Sequence, residues 1–414
     1  MNTSLDAPET WLCDAQASTP VYLDCTDADL RDARPLSGVE QSLGRELVAL
    51  LPPGNPIGHV LMKVHVGERK CTTRMRPGFV RACGQALTRR GAAGVVAGDT
   101  TVAYTGPRSH RSNTPSDCSA YLALAADHGW SRDGDAGMPF VVLDRPGTSV
   151  AGGLAFAQQE IVQKIDGIER FSDFCVAGGV AAADLVVNHA HLTLHGLAGF
   201  AGCVKSLAMG CTSLKGKLRM HQALHPHADP ERCTGCGLCV KHCPEDALRI
   251  EEERQRPVVD AARCIGCGEC VSVCPRQALR LEGEDIHDWS RGAETISRRM
   301  VDYTMGLMNG RWARTLHVLH MIDITRLCDC VDLQQKPILD TQPGFLLGWN
   351  PFDIDRWGAE IVLRLGRRLD PAAKRSLRQA IASEQYARER YGLPHAAEIR
   401  PVRPDPGATG HREG

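Results

Sequence analysis

From Val21 to about Leu218 short apolar runs alternate with polar stretches that suit helices. His59 to Val66, Gly94 to Ala97, Pro139 to Leu143 and Leu185 to Asn188 read as buried strands. Strands separated by helical stretches predict an α/β host domain with a mostly parallel sheet. A Cys-rich segment interrupts this pattern. Beyond it Thr295 to Met308 has helical periodicity, Leu316 to Ile324 reads as a strand, and Pro343 to Asp355 is a turn-rich return to strand and helix. A last helix is expected from Pro371 to about Tyr391, with proline in its first turn and Gly392-Leu393-Pro394 stopping it. The implied organisation is a first host part over 20–223, an inserted domain over 224–284, a second host part over 285–370, and a C-terminal helix with a mobile tail over 371–414.

Length and composition narrow the classes. A chain of 414 residues with 43% apolar and 23% charged residues has the makeup of an ordinary globular protein. Lys plus Arg (48) nearly balance Asp plus Glu (49), so no general basic field draws in nucleic acid. Met1 to Thr10 are polar and acidic, without the basic start and apolar stretch of a secretory signal. No apolar run approaches the ~20 residues of a membrane span. Eighteen cysteines in such a chain point to metal ligation rather than a disulfide framework, and to a reducing cytoplasm.

Eight of those cysteines form an internal repeat. Aligning Glu231 to Glu252 with Ala262 to Gly283 matches thirteen of twenty-two positions, among them every cysteine and the proline after the last. Cys233, Cys236, Cys239 and Cys243-Pro244 give C-x2-C-x2-C-x3-C-P, and Cys264, Cys267, Cys270 and Cys274-Pro275 repeat it. This is the bacterial-ferredoxin pattern for two [4Fe-4S] clusters, in which the fourth cysteine of each run ligates the other cluster. One cluster is therefore assigned to Cys233, Cys236, Cys239 and Cys274, the other to Cys264, Cys267, Cys270 and Cys243. Gly235, Gly237, Gly266 and Gly268, between ligands, suit backbone N–H groups turned toward cluster sulfurs. Structural zinc is the plainer alternative, but it is usually held by CxxC pairs with a longer spacer. Clusters that only brace the fold are a further one.

In the host domain Lys63 and His65 stand two apart on a predicted strand and share a face. Asp99 follows the apolar run Gly94 to Ala97, at a strand's carboxyl end, where open α/β sheets bind ligands. His189, His191 and His195 follow Ala183 to Val187, and Lys205 lies about three helical turns beyond. Lys63, His65, Asp99, His195 and Lys205 are the candidate catalytic set, a Lys- and His-rich pocket suited to a carboxylate or phosphate. Asp99 or Glu68 would shuttle protons. A single histidine of this group reads more readily as a hydrogen-bonded structural residue than as a catalyst, and only the group as a whole points to a site. Cys328 and Cys330, spaced C-x-C, could join Cys203 or Cys211 in a third metal or cluster site, or serve as small core residues. Cys13, Cys25, Cys71, Cys83, Cys118 and Cys175 lack ligand spacing. Arg298-Arg299 and Arg367-Arg368 read as solvated helix faces or docking points for an acidic partner. Neither G-x-G-x-x-G after a predicted strand nor G-x4-G-K-[ST] is present.

Several stretches outside the repeat carry a resemblance that covers most of residues 20 to 365. They are Lys63-Val64-His65-Val66-Gly67-Glu68, Thr72-Thr73 with Arg76-Pro77, and Asp99-Thr100-Thr101 with Tyr104 and Arg108. Further along come His191 to Phe200, Lys205-Ser206, Met209-Gly210-Cys211, Gly216-Lys217 and His221, then Cys328-Asp329-Cys330 and Gly348 to Asp355. Together these resemble the uncharacterised Fe-S centre protein family, also called domain of unknown function 362, in which a ferredoxin module is often inserted. The chain departs from that pattern at Thr193, where lysine is common, and at Ser206, where asparagine usually follows the lysine. The resemblance implies no particular reaction.

The expected function is electron transfer by two [4Fe-4S] clusters coupled to a small anionic molecule in the α/β domain, as a component of an oxidoreductase with a redox partner protein. The alternative is a non-enzymatic electron carrier or a cluster-delivery and docking protein.

Overall fold

The computed structural model describes residues 18–405, apart from 27–36, 105, 131–137, 151–152, 197, 222–225, 244, 252, 254, 265–269, 271–272, 277 and 282–288. Along the chain β1 (Val21–Asp24) precedes α1 (Ser37–Ala49), β2 (Ile57–Lys63), α2 (Pro77–Arg89), β3 (Ala92–Asp99), α3 (Ser119–Asp127) and β4 (Phe140–Val142). A side hairpin of β5 (Glu160–Lys164) and β6 (Asp173–Ala177) leads through α4 (Gly178–Ala182) to β7 (Leu185–His191). Next come the short pair β8 (Thr193–His195) and β9 (Gly199–Ala201), then α5 (Cys203–Ala208) and α6 (Leu214–His221).

The main sheet has eight strands. Once β14 (Thr315–Met321), β15 (Gly344–Gly348) and β16 (Arg400–Val402) are counted, its order is β16-β1-β15-β14-β7-β2-β3-β4. The run β14-β7-β2-β3-β4 is parallel, β15 is antiparallel to both its neighbours, and β16 lies parallel to β1. The α/β class with a mostly parallel sheet is therefore as expected. Successive side chains go to opposite faces: Val60 and Met62 of β2 join one apolar cluster with α1, α2 and α3, while Leu61 joins another. Both faces are covered, which is why these strands read as unbroken apolar runs.

The second half of the chain adds α8 (Trp289–Met308), α9 (Pro351–Leu365) and α10 (Pro371–Tyr391); α7, in the Cys-rich unit, is described below. The predicted boundaries of the last helix agree: Asp370 caps it by accepting from the Ala373 N–H at 2.8 Å, and Gly392 ends it at φ 68°. The helix expected from Thr295 starts earlier, at Trp289. The tail is not loose throughout. Arg400–Val402 pairs with β1, because the β1 edge offers unpaired backbone groups, whereas 406–414 lie outside the described residues.

Residues 226–281 form a small unit of their own, with α7 (Leu238–Lys241) and four short strands, β10 (Pro226–Ala228), β11 (Leu248–Glu251), β12 (Arg256–Val259) and β13 (Leu279–Leu281). The outer strands β10 and β13 pair antiparallel, and so do the inner strands β11 and β12. The sequence repeat is thus a structural two-fold. Asp229 and Asp260 accept from the Cys233 and Cys264 N–H groups at 3.0 and 2.9 Å, and Ala278 and Ala247 accept from the Asp229 and Asp260 N–H groups at 2.7 and 2.8 Å.

Candidate functional site

The strand order fixes where a ligand can enter. From β2 the chain moves to β3 and β4 on one side, then returns to β7 and β14 on the other. The carboxyl ends of β2 and β7 therefore flank a topological switch point, the usual crevice of open α/β sheets. Lys63 ends β2, Asp99 ends β3, and His191 ends β7, with His195 and Lys205 on β8 and α5 just beyond.

The five predicted residues meet there in two layers. Lys63 and Asp99 are buried beneath, while His65, His195 and Lys205 are only partly covered. Asp99 is held from several sides: Lys63 Nζ is 3.3 Å from Oδ1, Arg108 Nη2 is 2.9 Å from Oδ2, and the Tyr121 hydroxyl donates to Oδ2 at 2.8 Å. Burial alone would raise its pKa, but Lys63 and Arg108 hold it well below the ordinary carboxylate range. Asp99 is thus a fixed anion and a poor proton carrier. Glu68 is the opposite case. Burial raises its pKa despite Arg108 at 3.1 Å and the Tyr104 hydroxyl at 3.1 Å, so the proton-carrying role suits Glu68 better.

Arg108 links these groups, its guanidinium also 3.2 Å from His65 Nε2 and 3.1 Å from the Tyr121 hydroxyl. Burial, and Arg108 beside it, push the His65 pKa well down, so the ring is neutral. Lys217 reaches the same end of the sheet from α6, donating to Thr100 Oγ1 at 2.8 Å and to the Thr212 carbonyl at 2.7 Å. Burial lowers the pKa of Lys205 and of Lys217 to about 8 each, which leaves both mainly cationic at neutral pH. Lys205 makes no ion pair with a carboxylate among the described residues; its ammonium lies 3.6 Å from Cys328 Sγ. It sits on α5, whose first N–H groups, those of Cys203 and Val204, donate to Asp355 at 2.6 and 2.9 Å. Gly202 is obligatory at this contact, because a Cβ there would lie 2.3 Å from Asp355 Oδ1. The Gly348 to Asp355 stretch thereby sets the position of Lys205.

The three histidines after β7's apolar run diverge. His189 is a core residue, its Nδ1 2.9 Å from His320 Nε2, and burial lowers its pKa to about 3. His191 faces acceptors with both nitrogens, Asp329 Oδ2 at 2.7 Å and the Ile322 carbonyl at 2.7 Å. A ring donating twice is an imidazolium. Burial opposes that charge, but Asp329 raises the pKa above its ordinary value. His195 lies with Cys328 and Cys330, their ligand atoms within 4.8 Å of one another. Cys328 and Cys330 are joined to each other as a disulfide. The expected partners Cys203 and Cys211 sit instead in two separate apolar cores.

Arg108, Tyr121, Asp329 and Lys217 complete the site beyond the five predicted residues. Asp144, after the apolar run ending at Leu143, accepts from the Thr101 hydroxyl at 2.5 Å and follows the same logic that marked Asp99. Tyr121 arrives from a helix and carries no sequence signal. Thr193, one of the departures from the family pattern, has a buried hydroxyl without a partner among the described residues. Arg299 differs from the expected solvated face: it donates to the Met220 and Arg219 carbonyls at 2.8 and 2.5 Å and so closes the end of α6.

In the small unit one cavity is lined by Cys233, Cys236, Cys239 and Cys274. Three come from the first run and the fourth from the second. Gly235 and Gly237 have φ of 67° and 72°, the left-handed region that lets the backbone curl between the thiols. The Ala247 and Ala278 N–H groups donate to Cys243 Sγ and Cys274 Sγ, each at 3.2 Å, one in each copy. Cys267 lies outside the described residues, as do Gly266, Gly268 and Cys13. Four converging thiols are a soft donor set, chemically suited to iron or zinc. The unit touches the host where Glu245 meets Arg111 at 3.5 Å, on the loop that carries Arg108.

An α/β sheet with a charged crevice at its switch point and a Cys-rich unit inserted beside it defines the class of protein. The family model described as Domain of unknown function (DUF362) matches residues 60–360, and the chain belongs to that family. No curated protein matches it. A crystal structure of a protein from Thermotoga maritima is similar over 81% of this chain and 60% of that one, at 10% identity and a TM-score of 0.36, a likeness too weak to bear on fold or function. No described helix is long and apolar enough to cross a membrane.

Proposed function

We propose that the protein is an iron-sulfur electron-transfer component: residues 226–281 are a ferredoxin-like domain holding two [4Fe-4S] clusters, and the switch-point crevice binds a small anionic substrate. The observation that carries this reading is the convergence of Cys233, Cys236, Cys239 and Cys274 on one cavity. Zinc is usually held by two spaced CxxC pairs giving two thiols each, whereas three thiols from one run with a fourth from the other is the division that paired cubanes make when they exchange their fourth ligands. By the two-fold relation Cys243 would join Cys264, Cys267 and Cys270. Each cluster, when bound, stores and passes one electron at a time.

The chain's own groups do the rest. The Ala247 and Ala278 N–H groups aim hydrogen bonds at the Cys243 and Cys274 sulfurs. Lys205 and Lys217 supply positive charge toward a carboxylate or phosphate, while the Lys63–Asp99–Arg108 network beneath fixes the strand ends. Glu68, whose pKa burial raises above the ordinary carboxylate value, is the group beside Arg108 best suited to exchange a proton.

Anaerobically purified protein is expected to carry about eight irons and matching sulfide per chain. Cys274→Ser should lower the iron by about half or more and remove the signal of the cluster held by the first run. Stoichiometric zinc, or a Cys274→Ser protein with the full iron content, overturns the cluster assignment. Reduced protein mixed with small carboxylates and phosphates tests the second half of the proposal. Reoxidation that depends on one of them supports the enzyme; reoxidation by a partner protein alone supports the carrier reading.

A further inference from the structure

The Cys328–Cys330 disulfide lies outside the Cys-rich unit and outside the host's apolar clusters, with Lys205 and His195 of the crevice beside its sulfurs. We propose that it is a redox-active thiol–disulfide couple that exchanges with dithiols, a second redox centre built into the α/β domain.

Each sulfur has its own donor. Lys205 Nζ lies 3.6 Å from Cys328 Sγ, and the Cys330 N–H donates to that same sulfur at 3.2 Å. His195 Nε2 lies 4.0 Å from Cys330 Sγ. The tautomer of His195 follows from its other nitrogen, since Nδ1 accepts the Ala198 backbone N–H at 3.0 Å. A backbone N–H only donates, so a neutral ring carries its proton on Nε2 and points it at the Cys330 sulfur. A metal-ligating imidazole does the reverse, binding through a bare nitrogen while the other ring N–H donates to an acceptor. His195, Cys328 and Cys330 are close enough together for a metal, but the ring is set to hydrogen-bond sulfur.

The turn between the cysteines is anchored independently of the sulfurs. Asp329 pairs with His191 at 2.7 Å, accepts the Cys71 thiol at 3.3 Å, and uses its backbone carbonyl to accept the Glu68 N–H at 2.9 Å. Opening the S–S bond therefore leaves the turn in place with both sulfurs still facing the crevice. Their exposure is unequal, for Cys328 is buried and Cys330 partly exposed.

This inequality orders the exchange. A thiolate of an incoming dithiol attacks Cys330 Sγ, forming a mixed disulfide, and the Cys328–Cys330 bond breaks with Cys328 leaving as a thiolate beside Lys205. The second thiol of the dithiol then attacks its own bound sulfur and displaces Cys330 beside the His195 N–H. The reagent ends as a disulfide, and its two protons finish on Cys328 and Cys330. A cation and an N–H aimed at the leaving sulfur lower its pKa, which speeds the first step.

The test uses the full chain equilibrated in dithiothreitol buffers of varied reduced-to-oxidised ratio, quenched with a thiol tag, and weighed as the peptide bearing both cysteines. The expected result is that both tags appear together along a two-electron curve. In Lys205→Met, exchange should be several-fold slower, because the leaving sulfur loses the cation that favours its thiolate, with recovery in Lys205→Arg. A pair fixed in one state across the whole range, tags that appear singly, or one zinc bound per reduced pair would overturn it. Because the tag readout involves no iron, running it in parallel on Cys274→Ser separates failure here from failure of the cluster assignment.

Discussion

At the residue scale, the His191–Asp329 pair shows how much the site depends on one buried contact. Both partners are buried, and Asp329 also holds the Cys-Asp-Cys turn. Replacing His191 by Gln leaves a buried carboxylate without its cation, so a loss of about 3–5 kcal/mol is expected in denaturant titration at pH 6. The pH dependence follows from the direction of each shift. The folded His191 pKa is raised, so its contribution is complete below about pH 6.5 and fades as pH climbs through the folded value. The folded Asp329 pKa is lowered, so its share is present above about pH 3.9 and fades as pH falls through the folded value. The cost of His191→Gln should accordingly shrink in alkali; a cost independent of pH would contradict the imidazolium assignment. Sequence reasoning grouped His189, His191 and His195 because they follow one strand. Which of them is core, ion pair or sulfur partner depends on what β14 and its loop bring opposite, and spacing does not encode that.

At the scale of elements, α5 is a short helix whose start is fastened by a residue from α9. Asp355→Ala removes the acceptor for two backbone N–H groups, and a loss of about 0.5–2 kcal/mol is expected by thermal or chemical unfolding. Asp355→Asn keeps an acceptor and should lose less. If both variants unfold like the parent, α5 is held by packing alone. Much at this scale was legible. The strands Ile57–Lys63 and Ala92–Asp99 and the helix from Pro371 to Tyr391 could be read because apolar runs and end signals are local, but the strand expected to continue to Val66 stops at Lys63 and leaves His65 on the loop beyond it. The pairing of β1 with β15 and β16 could not, since nothing in four residues specifies a partner more than three hundred positions away.

Across the whole molecule, the inserted unit and the host have separate apolar cores. The unit's core is small, and Cys239 and Cys270 are two of its four buried members, so a bound metal would carry much of its order. Stripping metal with a chelator should raise hydrogen exchange across 226–281 while amides of β2, β3, β7 and β14 stay protected. Loss of protection in both regions at once would mean the two fold as a single unit. The Cys-rich stretch was legible in the sequence because its repeat stands apart in composition. Its closeness to the Arg108 loop was not, since the Glu245–Arg111 contact is made only in the folded chain.

The sheet also constrains how the protein is made. The first described strand, β1, takes its sheet partners among the described residues from β15 and β16. On a ribosome adding roughly 5–20 residues per second, β1 therefore waits on the order of 15–65 s for β15 to be synthesised. During that interval α1 can cover Val21 and Leu23 of β1, but both edges of the strand stay unpaired. Nascent chains stalled short of residue 344 should accordingly be the ones that recruit chaperones.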